Sequence, residues 1–556
     1  MRSQQILNGP EWANVRALYK AAGFTEGELK KPLIGIVNAF NEICPGHSHL
    51  RALTERVKEG VFAAGGTPLE FGTIGACDGI AMAHEGMQYI LPGRESVAAD
   101  IEVMCQAHRL DGLVLTGACD KIVPGMLLGA LRVNVPSLFI AGGPALPYRM
   151  RKGNPYGGEW IDHSIIQQAE GSLKAGRITA EEFQWFEDHA VPTVGSCAML
   201  GTANTMCALT EALGLSLPGS ASIPAVYSER LRSAFATGQA ILHLVRKDLR
   251  PRAFITRESL ENAVMVNSAL GGSTNAVLHL LALAYEAEVP FTLEDFGTVS
   301  ARVPHLVAMI PAGSYTLLDF YEAGGVSAVL RELSSVLHTD TLTATGQTLS
   351  ELLPSFVNAA PEVIHPLSKP VHEVPGIAIL KGNLAPAGAV TKPSAIPEKA
   401  RYFKGKAVIF ESEEAALEGI RALKVKEGDV IVIRNAGPQG GPGMPEQYKA
   451  MKLLVGMQLG DKVCVITDGR FSGSNNGCFV GHICPEAYAD GPIRYLRDGD
   501  VIEVDVLKGT LHAEVDFEAR RRESGSYTPR PARGLLYHYR HSVAPASLGA
   551  YIKTRD

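Results

Sequence analysis

Thr116-Gly117-Ala118-Cys119-Asp120-Lys121 puts a thiol, a carboxyl and an amine on consecutive residues. A thiolate suits iron or zinc and a carboxylate suits magnesium or manganese, so Cys119 and Asp120 could hold two different metals facing one substrate. The hexapeptide lies where the apolar run Leu113-Val114-Leu115 stops and Pro124-Gly125-Met126 opens a helical pattern. In an open α/β sheet, ligands gather at the carboxyl ends of strands, which is where this segment falls. Taken alone, the plain reading is the better one: a buried cysteine packs as a small hydrophobe, and Asp-Lys makes a solvated pair at a turn.

The elements that must position these residues follow a strand-helix alternation. Leu33 to Val37 reads as a buried strand, His49 to Ala64 as a helix, Thr67 to Thr73 as a strand and Ser96 to His108 as a helix. Leu113 to Leu115, Met126 to Val133 and Ser137 to Ala141 continue the series. Strands that are apolar throughout, joined by helices, mean a parallel sheet covered on both faces. Tyr148 to Asp188 is polar and Gly/Glu-rich, an excursion from the sheet, and helical patterns run from Thr205 to about Leu337. Pro354 to Pro375 holds five prolines and breaks the pattern. Beyond Gly376, short strands alternate with Gly, Pro and Asp (Ile377–Leu380, Ala407–Phe410, Val430–Ile433, Val463–Ile466, Val501–Val506 and Leu511–Val515), which suits a barrel-like domain. The expected architecture is therefore α/β: an N-terminal parallel-sheet domain over 1–370 and a smaller β-rich, barrel-like domain over 371–556.

Composition bounds the class of protein. With 556 residues, 46% hydrophobic and 20% charged, the chain is an ordinary globular protein long enough for two domains. A net charge of -6 leaves no basic footprint for nucleic acid, and no apolar run is long enough to span a bilayer. Met1-Arg2-Ser3-Gln4-Gln5 leads into no signal core, so the expected location is cytoplasmic. Nine scattered cysteines without a C-x-x-C pair fit neither a disulfide framework nor a ferredoxin loop; a metal cluster must collect its cysteines across the fold.

Six motifs in sequence order carry a resemblance over nearly the whole chain. Gly75-Ala76-Cys77-Asp78-Gly79-Ile80-Ala81-Met82, Cys119 to Met126, and Gly195-Ser196-Cys197 with Thr202-Ala203-Asn204-Thr205-Met206 resemble the dihydroxy-acid and phosphogluconate dehydratases. Gly271-Gly272-Ser273-Thr274-Asn275, Gly440-Gly441-Pro442-Gly443-Met444 and Thr467-Asp468-Gly469-Arg470-Phe471-Ser472-Gly473 continue it. Several separated motifs in order are far more specific than any one of them.

The resemblance implies an iron-sulfur cluster, 2Fe-2S or 4Fe-4S, held by Cys119, Cys197 and a third cysteine. Some members carry that third cysteine in a Pro-Cys-Asn motif whose position is Gly46 here; Cys77 is preferred as its substitute, and Cys44 is the alternative. Asp78, Asp120 and Glu446 align with oxygen ligands of a divalent metal, expected to be magnesium. Lys121 aligns with a lysine that is carboxylated in relatives; a protonated amine has no lone pair, whereas a carbamate is an anionic oxygen ligand. Ser472 aligns with the general base. Asp78 and Glu446 also have bland readings as loop acids, Ser472 as a turn cap, and the Gly271 to Asn275 segment as a helix cap or anion cradle. His47, His49 and His84 lie near the motifs and could orient ligands.

The expected reaction is dehydration of a 2,3-dihydroxy carboxylate to a 2-oxo acid, with an open iron as Lewis acid for the 3-hydroxyl. Leu209 to Gly219 and Ile223 to Arg230 resemble the branched-chain enzymes, favouring 2,3-dihydroxy-3-methylbutanoate as substrate. Cys197-Ala198-Met199-Leu200-Gly201-Thr202 drifts toward the sugar-acid pattern, so an aldonate (gluconate, xylonate or arabinonate) is the alternative; an inactive cluster-binding regulator is the reading from another class. A homodimer or homotetramer is expected, with the small-molecule dihydroxy acid as partner and neither nucleic acid nor membrane.

Overall fold

The structure, a computed structural model, describes residues 1–82, 84–150, 160, 161, 163, 165–174, 176–473, 475, 477–525, 527 and 529–555. Part of the polar excursion before Asp188 lies outside the described residues.

Four strands, β1 (Leu33–Asn38), β2 (Thr67–Gly72), β3 (Gly112–Gly117) and β4 (Ser137–Ala141), form a parallel sheet in the order β2-β1-β3-β4. All residues of β1, β3 and β4 are buried, as their predominantly apolar character requires. The crossovers are α1 (Leu50–Ala63), α2 (Ile90–His108) and α3 (Ile122–Val133). Helices α2 and α3 begin six and four residues before the sequence-expected starts at Ser96 and Met126. Each contains a proline in its opening turn, Pro92 or Pro124, where the missing N–H costs no hydrogen bond. A helical layer follows, including α4 (Thr202–Ala212), α5 (Ser228–Lys247), α6 (Arg257–Leu270) and α7 (Asn275–Ala287). Most of α4, α6 and α7 is buried all round, which marks them as core helices.

After an irregular stretch come β5 (Ala378–Leu380), β6 (Gly388–Thr391), β7 (Tyr402–Phe410), α8 (Glu413–Arg421), β8 (Asp429–Ile433), α9 (Lys449–Gly456), β9 (Cys464–Thr467), β10 (Cys478–Cys484), β11 (Val501–Asp505) and β12 (Thr510–Ala513). They make one mixed sheet in the order β12-β11-β7-β8-β9-β10-β6-β5, with β7 to β10 parallel and the rest antiparallel. Lys381, just after β5, bridges Thr510 on β12. Lys381 N–H donates to Gly509 O (2.9 Å) and Leu511 N–H to Lys381 O (3.0 Å), so the sheet closes on itself. Alternation along β8 separates the two faces: Val430 and Val432 fill the interior with Ile466, Val480 and Val504, while Ile431 and Ile433 pack outward against Ile420 of α8 and Leu454 of α9. Each such buried side chain contributes about 1.5–3 kcal/mol.

Candidate active site

Every sequence-singled metal or cluster residue of the N-terminal half sits beyond the carboxyl end of a strand. Cys44 and Gly46 follow β1, Cys77 and Asp78 follow β2, and Cys119, Asp120 and Lys121 connect β3 to α3. Ser196 bridges Pro144, which follows β4, so Cys197 joins the same edge. From the barrel, Glu446-Gln447 follows β8 and pairs in parallel with Arg470-Phe471, which follows β9; Ser472 is next. The site therefore lies between the carboxyl edges of two sheets, the place where α/β proteins hold ligands.

Lys121 is 1% exposed, and its Nζ donates to Asp78 Oδ2 (2.8 Å) and Glu446 Oε1 (3.1 Å) and lies 3.6 Å from Asp120 Oδ2. Oxygens of Asp78, Asp120 and Glu446 fall within 4.8 Å of one another. Burial pushes the Asp78 carboxyl up to about 8 against the pull of Lys121, and burial raises Asp120 as well. Glu446 goes the other way: its burial is outweighed by Lys121 and Arg470, and it stays ionised. Arg470, wholly buried, donates to Glu446 Oε1 (2.6 Å), Asn275 Oδ1 (2.8 Å) and Met444 O (2.6 Å). Asn275 Nδ2 in turn donates to Glu446 Oε1 (2.9 Å) and Thr202 Oγ1 (3.0 Å). Asp78 Oδ1 is buried without a hydrogen-bond partner among the described residues.

The thiols form a second group beside this one. Cys44 Sγ and Cys119 Sγ are 3.2 Å apart, and Cys77 is hydrogen-bonded to both. Hydrogen bonds from Cys119 and Cys44, with the Gly79 and Ile80 amides, pull the Cys77 thiol below its ordinary range, while the same sulfur contacts and burial push the Cys119 thiol up. Cys44, Cys77, Cys119, Cys197, Asp78 and Asp120 line one cavity of about 250 Å³, whose other walls include Ala145, Leu146, Ala190, Val191, Ala198 and Ala203. Converging thiols suit an iron-sulfur cluster, and converging buried carboxylates with an unpaired oxygen suit a hard divalent cation; the donor sets fit both groups.

Ser472 is half-buried. Its neighbour Gly473 runs so close to α4 that an added Cβ would stand 3.0 Å from Gly201 Cα and Thr202 N. The Thr202 side chain hydrogen-bonds Asp120, so the serine loop meets the carboxylate group through α4. The three flagged histidines make backbone contacts: His47 with Gly75 O (3.2 Å) and Ala118 N (3.3 Å), His49 with Gly142 O (2.9 Å), His84 with Ile80 O (2.9 Å) and Gly86 N (3.1 Å). Burial holds His47 down at about 4, neutral at physiological pH. Arg470 and Asn275 received no role from sequence reasoning, although both stand inside motifs it singled out.

Fold and site together define a two-part α/β protein with a thiol group and a carboxylate group facing one cavity. The chain belongs to the dihydroxy-acid/6-phosphogluconate dehydratase family: the family's N-terminal model matches residues 31–352 and its C-terminal model residues 362–550. It is 47% identical to a dihydroxy-acid dehydratase of Pyrococcus furiosus over 557 residues, covering 100% of both chains. Dihydroxy-acid dehydratases of Syntrophobacter fumaroxidans (47% identical) and Methanospirillum hungatei (46%) are matched over 100% of each chain as well.

Proposed function

We infer that the chain is a hydro-lyase that removes water from a 2,3-dihydroxy carboxylate to give a 2-oxo acid, acting on 2,3-dihydroxy-3-methylbutanoate in branched-chain amino-acid synthesis. The observation that carries this reading, beside the relatives' names, is one cavity faced by both thiols and carboxylates with a largely apolar remaining wall. A branched aliphatic tail suits that wall, whereas an aldonate needs partners for several hydroxyls.

Cys77, Cys119 and Cys197 would hold the iron-sulfur cluster, and Asp78, Asp120, Glu446 and carboxylated Lys121 the magnesium ion. When bound, magnesium supplies positive charge beside the substrate carboxylate and 2-hydroxyl, and the cluster supplies a Lewis acid for the departing hydroxyl. Carboxylation turns Lys121 from counter-ion to ligand and leaves Arg470 and Asn275 to fix Glu446 in place. Ser472, present as the alkoxide, takes the C2 proton and becomes the neutral hydroxyl, from a position behind the Gly-rich turn that packs on Thr202. The enol left by loss of water tautomerises to the ketone with no net redox change.

Leu146 and Val191 add apolar surface to the cavity wall on which the tail would rest. The reading includes a cytoplasmic location and a homodimer or homotetramer, which light scattering after size exclusion checks. Among the described residues, no helix is long and apolar enough to cross a membrane. We place the domain division at 370/371, in the stretch without helix or strand between Ser355 and Ala378.

The test is kcat/KM for dihydroxyisovalerate beside gluconate, xylonate and arabinonate under anaerobic conditions. Dihydroxyisovalerate should lead; an aldonate ahead by more than about tenfold, ~1.4 kcal/mol in transition-state binding, would transfer the assignment to sugar acids. Iron content of Cys77→Ser against Cys44→Ser decides the third ligand: loss in the first and retention in the second is expected.

A further inference from the structure

Cys44 has no part in the ligand set just given, yet it stands inside it. Its Sγ is 3.2 Å from Cys119 Sγ, it is hydrogen-bonded to Cys77, and it is 1% exposed. The turn that carries it is tightly held. Cys44 N–H donates to Asn41 Oδ1 (2.8 Å), and its carbonyl accepts from His47 N (2.9 Å) and Ser48 N (3.0 Å). Asn41 Nδ2 and His47 Nδ1 both reach Gly75 O, at 2.9 and 3.2 Å, so the turn is strapped to the segment that leads into Cys77. Gly46 keeps the space clear: a Cβ there would lie 3.3 Å from Cys119 Sγ and 3.6 Å from Cys44 Sγ. A sulfur at Cys44 and no side chain at Gly46 leave four thiols, not three, around one cavity.

Iron-sulfur clusters are held by four thiolates when the protein supplies them, and a three-cysteine set leaves one iron to another ligand. Resting on the cluster assignment above, we propose that Cys44 is a fourth, displaceable ligand that caps the remaining iron while substrate is absent. Binding releases the Cys44 thiol proton to solvent. When the substrate hydroxyl takes the position, the iron–sulfur bond breaks with both electrons staying on sulfur, which regains a proton; no electron is transferred. A capped cluster has no labile iron, so this chain should keep its iron under oxidants that strip an uncapped one.

Mössbauer spectroscopy of the ⁵⁷Fe-reconstituted, anaerobic full-length protein tests this independently of turnover. Without substrate, the wild type should show only thiolate-type irons, and Cys44→Ala should show one iron per cluster with the higher isomer shift of an oxygen-ligated site. Dihydroxyisovalerate added to the wild type should generate that same site. A substrate-free wild type that already contains the oxygen-ligated iron overturns the proposal, and so do identical spectra from wild type and variant. The wild-type spectrum decides even where the variant fails to fold. A wild type that takes up no cluster defeats the cofactor reading itself, and the capping proposal with it.

Discussion

Ser472 follows Phe471, whose carbonyl accepts from Asn275 Nδ2 (3.3 Å), and its own carbonyl accepts from Asn475 N–H (3.1 Å). Both of these contacts are made by the backbone and survive removal of the side chain. Ser472→Ala should therefore leave iron content and visible absorption unchanged while turnover falls by at least 100-fold, the scale of a lost general base; activity within a fewfold of wild type would remove Ser472 from the role. Asp78, Asp120, Lys121 and Glu446 were readable as a group only through the resemblance of their motifs to those of the dehydratases, since taken singly each has a bland reading and a protonated lysine is no ligand. Arg470 and Asn275 were not. Their partner Glu446 is met only after distant segments pack, 195 residues separating Arg470 from Asn275, and nothing in an arginine's local sequence says that it will be wholly buried.

Among the elements, the strands that were plain in the sequence are those with apolar runs rich in Ile and Val, such as β1 and β8. Two others escaped. β6 is only Gly388-Ala389-Val390-Thr391, too short and small to stand out, and β10 is interrupted where its pairing with β6 shifts register between Gly481 and Cys484. There His482 adopts a positive φ of 55°, a bulge that breaks the alternation a strand is recognised by. The loop that delivers Glu446 depends on Gly443, which has φ +85° and sits so close to Gln88 that a Cβ would come within 1.9 Å of its carbonyl oxygen. Gly443→Ala combines left-handed strain with overpacking and should cost about 3 kcal/mol in urea unfolding. Because the loop must shift, turnover should fall as well; an unchanged midpoint and activity would mean that the loop tolerates the side chain.

At the scale of the molecule, Lys392 shows the cost of joining the halves. It follows β6, where Ala389 packs in the barrel interior and Val390 in the N-terminal core. Its Nζ is buried without a hydrogen-bond partner among the described residues, and burial lowers its pKa from 10.5 to about 8. Between those values the unfolded chain binds more protons than the folded one, so stability rises with pH as the penalty is relieved. Lys392→Met should be more stable than wild type by up to ~3 kcal/mol at pH 7, and the advantage should vanish by about pH 10.5. A constant difference across that range would mean that the amine finds a partner. The arrangement of the acids has a further consequence. Asp78 and Asp120 belong to one half and Glu446 to the other, so a cation bound by all three also fastens the halves together. By mass action, a cation at a hundredfold excess over its Kd adds about 2.7 kcal/mol to the closed arrangement. Chelation should then do more than stop turnover: it should open the seam, and a protease should begin to cut the irregular stretch between Ser355 and Ala378 that connects the two halves.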